Sequence, residues 1–139
     1  MCMRRRDKYP DTDIFVYENI NPKNRITGDC EIRAIAKAMK ISWEEVARGL
    51  VEIGVETGYS PFVKEAYDLF LTRNGFKRMS QPRHLNNTKY TLREFIKEHP
   101  RGTYVVNMPS HVTVVVNGKN YDIWDCTKSY KKIGNYWEK

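Results

Sequence analysis

The hydrophobic period of this chain changes once, near Gly102, and that change limits the folds open to it. Before it, apolar residues recur at helical spacing. Ile32, Ile35, Ala36 and Met39 form one face of a helix opening at Cys30, with Arg33 and Lys37 facing water or Arg33 meeting a carboxylate. Ser42 with Glu45 reads as a capping box, stapled by Ile41 and Val46, for a second helix through Leu50 and Ile53 that Gly54 or Gly58 ends. Ser60-Pro61 is expected to open a third helix through Phe62, Ala66, Leu69 and Phe70, capped by Asn74-Gly75. Thr91 with Glu94 starts a fourth through Leu92, Phe95 and Ile96, which Pro100 stops. After Gly102 the period becomes 2. Residues 102–108, 111–116, 120–125 and 133–137 read as strands, the second and third joined by a hairpin at Asn117-Gly118. Gly134 is a candidate bulge. Residues 14–17 read as an edge strand, and residues 19–27 and 77–89 as loops. Helices first and antiparallel strands later predict an α+β fold, with N-terminal helices packed on a C-terminal antiparallel sheet.

A chain of 139 residues is one domain by length and long enough to bury a core unaided, with residues 1–12 expected as a flexible tail. Three cysteines without regular spacing predict no disulfide and no zinc site, hence a reduced, cytoplasmic protein; Cys2 falls in the tail. The basic start through Arg6 is followed by polar Asp7-Lys8-Tyr9-Pro10 where a signal peptide needs an apolar run, so secretion by that route is not expected, and no apolar stretch is long enough for a membrane span. The net charge of +7 is scattered, which points to a solvated surface or an acidic partner. With no recognition motif beside it, nucleic acid is the lesser expectation.

The chemistry-bearing stretch runs from Asn24 to Ala36. Gly28-Asp29 delivers Cys30 to a helix start, where unpaired N–H groups and the helix dipole favour a thiolate. His111 heads one strand, and Asp125 ends the next. Cysteine, histidine and aspartate in these places suit a nucleophile, its base and an orienting group. The third member depends on hairpin register. A two-residue Asn117-Gly118 turn sets His111 opposite Trp124 and on one face with Asp122; a three-residue connection sets it on one face with Asp125. His84 lies in a loop, and His99 near a helix end reads as a cation that complements the dipole. Cys126 reads as a bystander thiol.

These residues resemble the papain-like fold of cysteine peptidases, most nearly small bacterial and phage members such as those that trim bacteriocin leaders. The likeness rests on Asp29-Cys30 at a helix start, on an amide side chain, Asn24, six residues before the cysteine, and on a late sheet bearing His111 and Asp125. The family usually has Gln where Asn24 stands, and the Cys-Gly-x-Cys-Trp segment of papain is absent. The resemblance implies acyl transfer from an amide, isopeptide or thioester by Cys30, His111 and Asp125, without metal or organic cofactor. Asn24 and the Cys30 N–H would stabilise the oxyanion, and Asn24, Cys30, His111 and Trp124 would border one groove for a protein or peptide substrate. It is also compatible with a binding module that has lost catalysis and occupies a host factor.

Overall fold

The computed structural model describes residues 3–139; Cys2 lies outside them. Among the described residues are five α-helices: α1 (Arg5–Lys8), α2 (Cys30–Met39), α3 (Trp43–Thr57), α4 (Lys64–Arg73) and α5 (Leu92–Glu98). Six strands accompany them: β1 (Phe15–Tyr17), β2 (Lys77–Met79), β3 (Thr103–Met108), β4 (His111–Val116), β5 (Lys119–Asp122) and β6 (Tyr136–Glu138). The strands form one open sheet in the order β1-β5-β4-β3-β6-β2. The architecture is mixed α+β.

Adjacent strand residues divide the core. Val105 and Val114 pack with Ile35, Leu50, Leu71 and Trp137 under α2, α3 and α4, whereas Val106 and Val115 pack with Leu92, Phe95 and Ile133 beside α5. That alternation follows from the two-residue period of a strand. Each fully buried Leu, Ile, Val or Phe contributes about 1.5–3 kcal/mol. The expected single helical layer is therefore corrected, because α5 covers the opposite face.

The sheet is also mixed rather than antiparallel. β1 runs parallel to β5 at one edge, pairing Phe15 with Asn120 and Tyr17 with Asp122. At the other edge, residues 77–79 form a strand where a loop was expected. β2 sets Lys77 opposite Glu138 and Met79 opposite Tyr136. Its side chains are mostly exposed, so it carries no apolar alternation to read. The Ser60-Pro61 pair makes a turn, with the Val63 N–H donating to the Ser60 carbonyl at 3.3 Å, and α4 starts only at Lys64. Phe62 is accordingly exposed instead of facing the core.

The caps are largely as expected. Ser42 Oγ accepts from the Glu45 N–H, and at Thr91 the capping box closes in both directions. Gly58, at φ +82°, ends α3. Within α3, Gly49 has a packing role: a Cβ there would run into the Phe70 ring of α4. The N-terminal stretch is tied to the sheet at Arg5, whose Nε donates to the Ile123 carbonyl at 2.6 Å. No helix among the described residues is long and apolar enough to cross a membrane.

Candidate functional site

The hairpin register determines which carboxylate reaches His111. Asn117 and Gly118 both take positive φ, +48° and +78°, the mirror-image turn that Asn-Gly favours. The loop therefore holds two residues, Val116 pairs with Lys119, and Val114 pairs with Tyr121. Asp122 then falls on one face with His111 and Thr113. Its Oδ2 receives His111 Nε2 at 2.7 Å and the Thr113 hydroxyl at 2.6 Å. The expected pairing of His111 with Asp125 is corrected on this ground. Asp125 lies beyond β5, buried, where its Oδ1 caps the short 3-10 turn Cys126–Lys128 by accepting the Thr127 N–H and hydroxyl.

Asp122 is held from the other side by the nucleophile's own helix. Arg33 donates from Nη1 to Asp122 Oδ1 at 2.9 Å and from Nε to Asp29 Oδ1 at 2.8 Å. All three side chains are buried. Asp29 also accepts from Asn21 and from Trp43 Nε1 at 2.9 Å. Asp29 thus anchors the loop before α2, and Arg33 is the buried cation that joins α2 to β5. The i,i+4 spacing of Asp29 and Arg33 was visible in the sequence; their shared reach to Asp122 depends on the tertiary fold.

Cys30 is half-buried at the first position of α2. Burial works against charge on His111 and alone would lower its pKa. The hydrogen bond to Asp122 and its negative charge, with the nearby Cys30 thiol, outweigh burial and raise it from 6.5 to about 9. Because Nε2 is engaged by Asp122, Nδ1 is the ring nitrogen left for the sulfur. Burial likewise pushes the Asp122 pKa upward, but His111, Arg33 and Thr113 pull it down, from 3.8 to about 2. The result is a chain of alternating charge, Asp29 to Arg33 to Asp122 to His111, that ends at a thiol.

Two neighbours of Cys30 escaped the sequence reading. Its Sγ lies 3.5 Å from Oε2 of Glu31, a buried carboxyl whose pKa burial raises and whose Oε1 has no hydrogen-bond partner. Tyr67 of α4 stands near both, its pKa pushed up to about 12 by burial and then by the charges of Cys30 and Glu31. The amphipathic pattern had assigned positions 31 and 67 no role.

Other expected members are placed differently. Trp124 tilts against His111 at 5.1 Å between ring centroids and lines a groove of about 510 Å³ with it. Asn24 is exposed at φ +53°, its Oδ1 accepting from Asn19 Nδ2 at 3.3 Å. Nothing in its contacts joins it to Cys30, and Cys30 itself lines a separate small pocket with Arg33, Thr113 and Asp122, so the expected common groove is corrected: it gathers His111 and Trp124 without Asn24 or Cys30. His99 Nδ1 meets the Phe95 carbonyl, and His84 stacks on Tyr90, both apart from this site.

His111, Asp122 and the buried Cys126 bring donor atoms within 4.8 Å of one another, which raises the question of a metal. Both Asp122 oxygens are already occupied, Oδ1 by Arg33 and the Ile123 N–H, Oδ2 by His111, Thr113 and Cys126. A guanidinium lies against the carboxylate, and burial pushes the Cys126 thiol well up in pKa, toward its protonated form. This donor set does not fit a cation. Cys126 instead serves as a weak donor to Asp122 at 3.3 Å.

Comparison of the chain with models of protein families, with curated proteins and with solved structures finds no match.

Proposed function

We propose that this chain is a papain-like cysteine hydrolase acting on an amide, isopeptide or thioester, with Cys30 as nucleophile, His111 as acid and base, and Asp122 as the orienting carboxylate. One observation carries the reading: the half-buried His111 imidazole is hydrogen-bonded to a carboxylate that is itself fixed by Arg33, and its pKa is raised by that carboxylate and by the Cys30 thiol at the helix start. In this mechanism the Cys30 sulfur attacks the carbonyl carbon. The N–H of Cys30, in the first turn of α2 and so without an intrahelical acceptor, faces the developing oxyanion. The bond to the leaving group breaks as His111 gives it a proton. Water then attacks the thioester, His111 takes the water's proton, and the thiol is restored. Asp122 keeps Nε2 engaged, which leaves Nδ1 to exchange the proton with the sulfur. Arg33 is a positioning residue, acting through Asp122.

A generic acyl donor tests this without knowledge of the substrate. Incubation with p-nitrophenyl acetate should release a nitrophenol burst approaching one equivalent and leave an acetyl group on Cys30, located by peptide mass spectrometry. Cys30→Ala should abolish the burst, and His111→Ala should slow it by about 100-fold or more. Acetylation of Cys30 that proceeds equally fast in His111→Ala would overturn the assignment.

A further inference from the structure

The turn between β3 and β4 is built on Pro109 and Ser110, with Met108 paired to His111. Proline's ring holds φ negative, so the positive φ of this turn falls on Ser110, at +56°. The turn separates two concavities. One, of about 510 Å³, reaches His111 and Trp124 and is lined by Lys128 and Lys131. The other, of about 620 Å³, is lined by Lys89, Lys131 and Lys132. Met108, Pro109, Ser110 and Lys131 border both, so the two form one trough across the turn.

The charge in this trough is one-sided. All four lysines are exposed, and none enters an ion pair among the described residues. Asp125 is the one carboxylate lining either half, and it is buried with its Oδ1 taken by Thr127. Glu94 lies close enough to Lys132 to feel its charge, which offsets one lysine of the four. An anionic ligand in this trough would meet three uncompensated ammonium groups and have one end at His111.

We propose that the trough binds an acidic stretch of polypeptide, whose Asp and Glu side chains pair with Lys89, Lys128 and Lys131 while its backbone passes His111. This names the substrate class of the proposed hydrolase and rests on that reading. A polypeptide suits the site better than a nucleic acid. His111, which lines the trough, is the acid and base of the proposed acyl transfer, and Trp124 is the one aromatic side chain besides Tyr130 that borders it, where binding a nucleic acid would draw on a row of stacking rings. Lysines offer point charges on flexible stems, which suit scattered carboxylates.

The test measures binding in the full-length Cys30→Ala variant, so that it reads recognition and leaves catalysis to the acetylation experiment. Fluorescence anisotropy of a labelled oligoglutamate near physiological ionic strength should show saturable, salt-sensitive binding. Lys128→Gln with Lys131→Gln should weaken it about tenfold, about threefold per lysine, as for exposed ion pairs. Lys23→Gln with Lys77→Gln, exposed residues outside the trough, should change it less than twofold. Equal weakening by both pairs, absence of binding, or tighter binding of a labelled oligothymidylate of the same charge would each overturn the proposal. A normal acetylation burst alongside any of these results would leave the hydrolase reading standing.

Discussion

Replacing Arg33 by Met removes the one cation between two buried carboxylates and keeps most of the side-chain volume. Asp29 and Asp122 would each lose a hydrogen bond of 2.8 to 2.9 Å while remaining out of water. Breaking a buried ion pair from one side typically costs about 3–5 kcal/mol, since the orphaned charge stays desolvated. Here both orphans keep other donors. Asp29 retains Asn21 and Trp43; Asp122 retains His111, Thr113 and the Ile123 N–H. The expected loss is therefore at the low end, about 3 kcal/mol, or a fall in melting temperature of roughly 10 °C for a chain of this size. Arg33→Lys keeps the charge but cannot span both carboxylates, and should lose about 1–2 kcal/mol. Asp29→Asn in the Arg33→Met background should recover part of the loss, a non-additivity expected only of coupled groups. The assay is urea unfolding at pH 7, followed by tryptophan fluorescence. An Arg33→Met midpoint corresponding to less than about 0.5 kcal/mol of destabilisation, the range of an ordinary surface change, would refute the reasoning.

Gly49→Ala should destabilise the fold by about 1 kcal/mol in the same assay, although alanine is the better helix former. The new methyl meets the Phe70 ring, and overpacking outweighs the gain in propensity. Stability should also depend on pH through His111. Its folded pKa is raised above the ordinary value, so its contribution is complete below about pH 6.5 and is lost as pH rises through about 9. Asp122 has the opposite sense: its contribution is present above pH 3.8 and lost as pH falls through about 2. Unfolding free energies measured from pH 6 to 10 should fall by a few kcal/mol in wild type and by much less in His111→Gln; parallel curves would contradict the pairing.

Much of this arrangement could be read from local patterns. The Thr91–Glu94 cap, the Asn117-Gly118 turn and the apolar face from Ile32 to Met39 are settled within a few residues of chain, and they formed as their chemistry requires. Cys30 and His111 were legible because each stands at the start of an element. The partner of His111 was the weaker point. The turn chemistry of Asn-Gly favours two residues, which places Asp122 correctly, whereas the resemblance to peptidases favoured Asp125. The local rule prevailed. What stayed illegible was tertiary. β2 has no apolar period because Lys77 and Arg78 are exposed and Met79 alone is half-buried, and its place is set by pairing with β6. Glu31 was given no role by the apolar pattern of its helix; the fold buries it beside Cys30 and near Tyr67 of α4. Asn24 was placed by counting residues back from the cysteine, but a left-handed turn at that residue sends its side chain to Asn19.

The central claim is that one network, from Arg33 through Asp122, holds a charged His111 against Cys30. The direct measurement is the imidazole titration of His111 by two-dimensional NMR in wild type, Asp122→Asn and Asp125→Asn. The account predicts a pKa of about 9 in wild type, a marked fall toward 6.5 in Asp122→Asn, and a value unmoved in Asp125→Asn. A wild-type His111 that titrates near 6.5, or a shift that follows Asp125 and not Asp122, would contradict it.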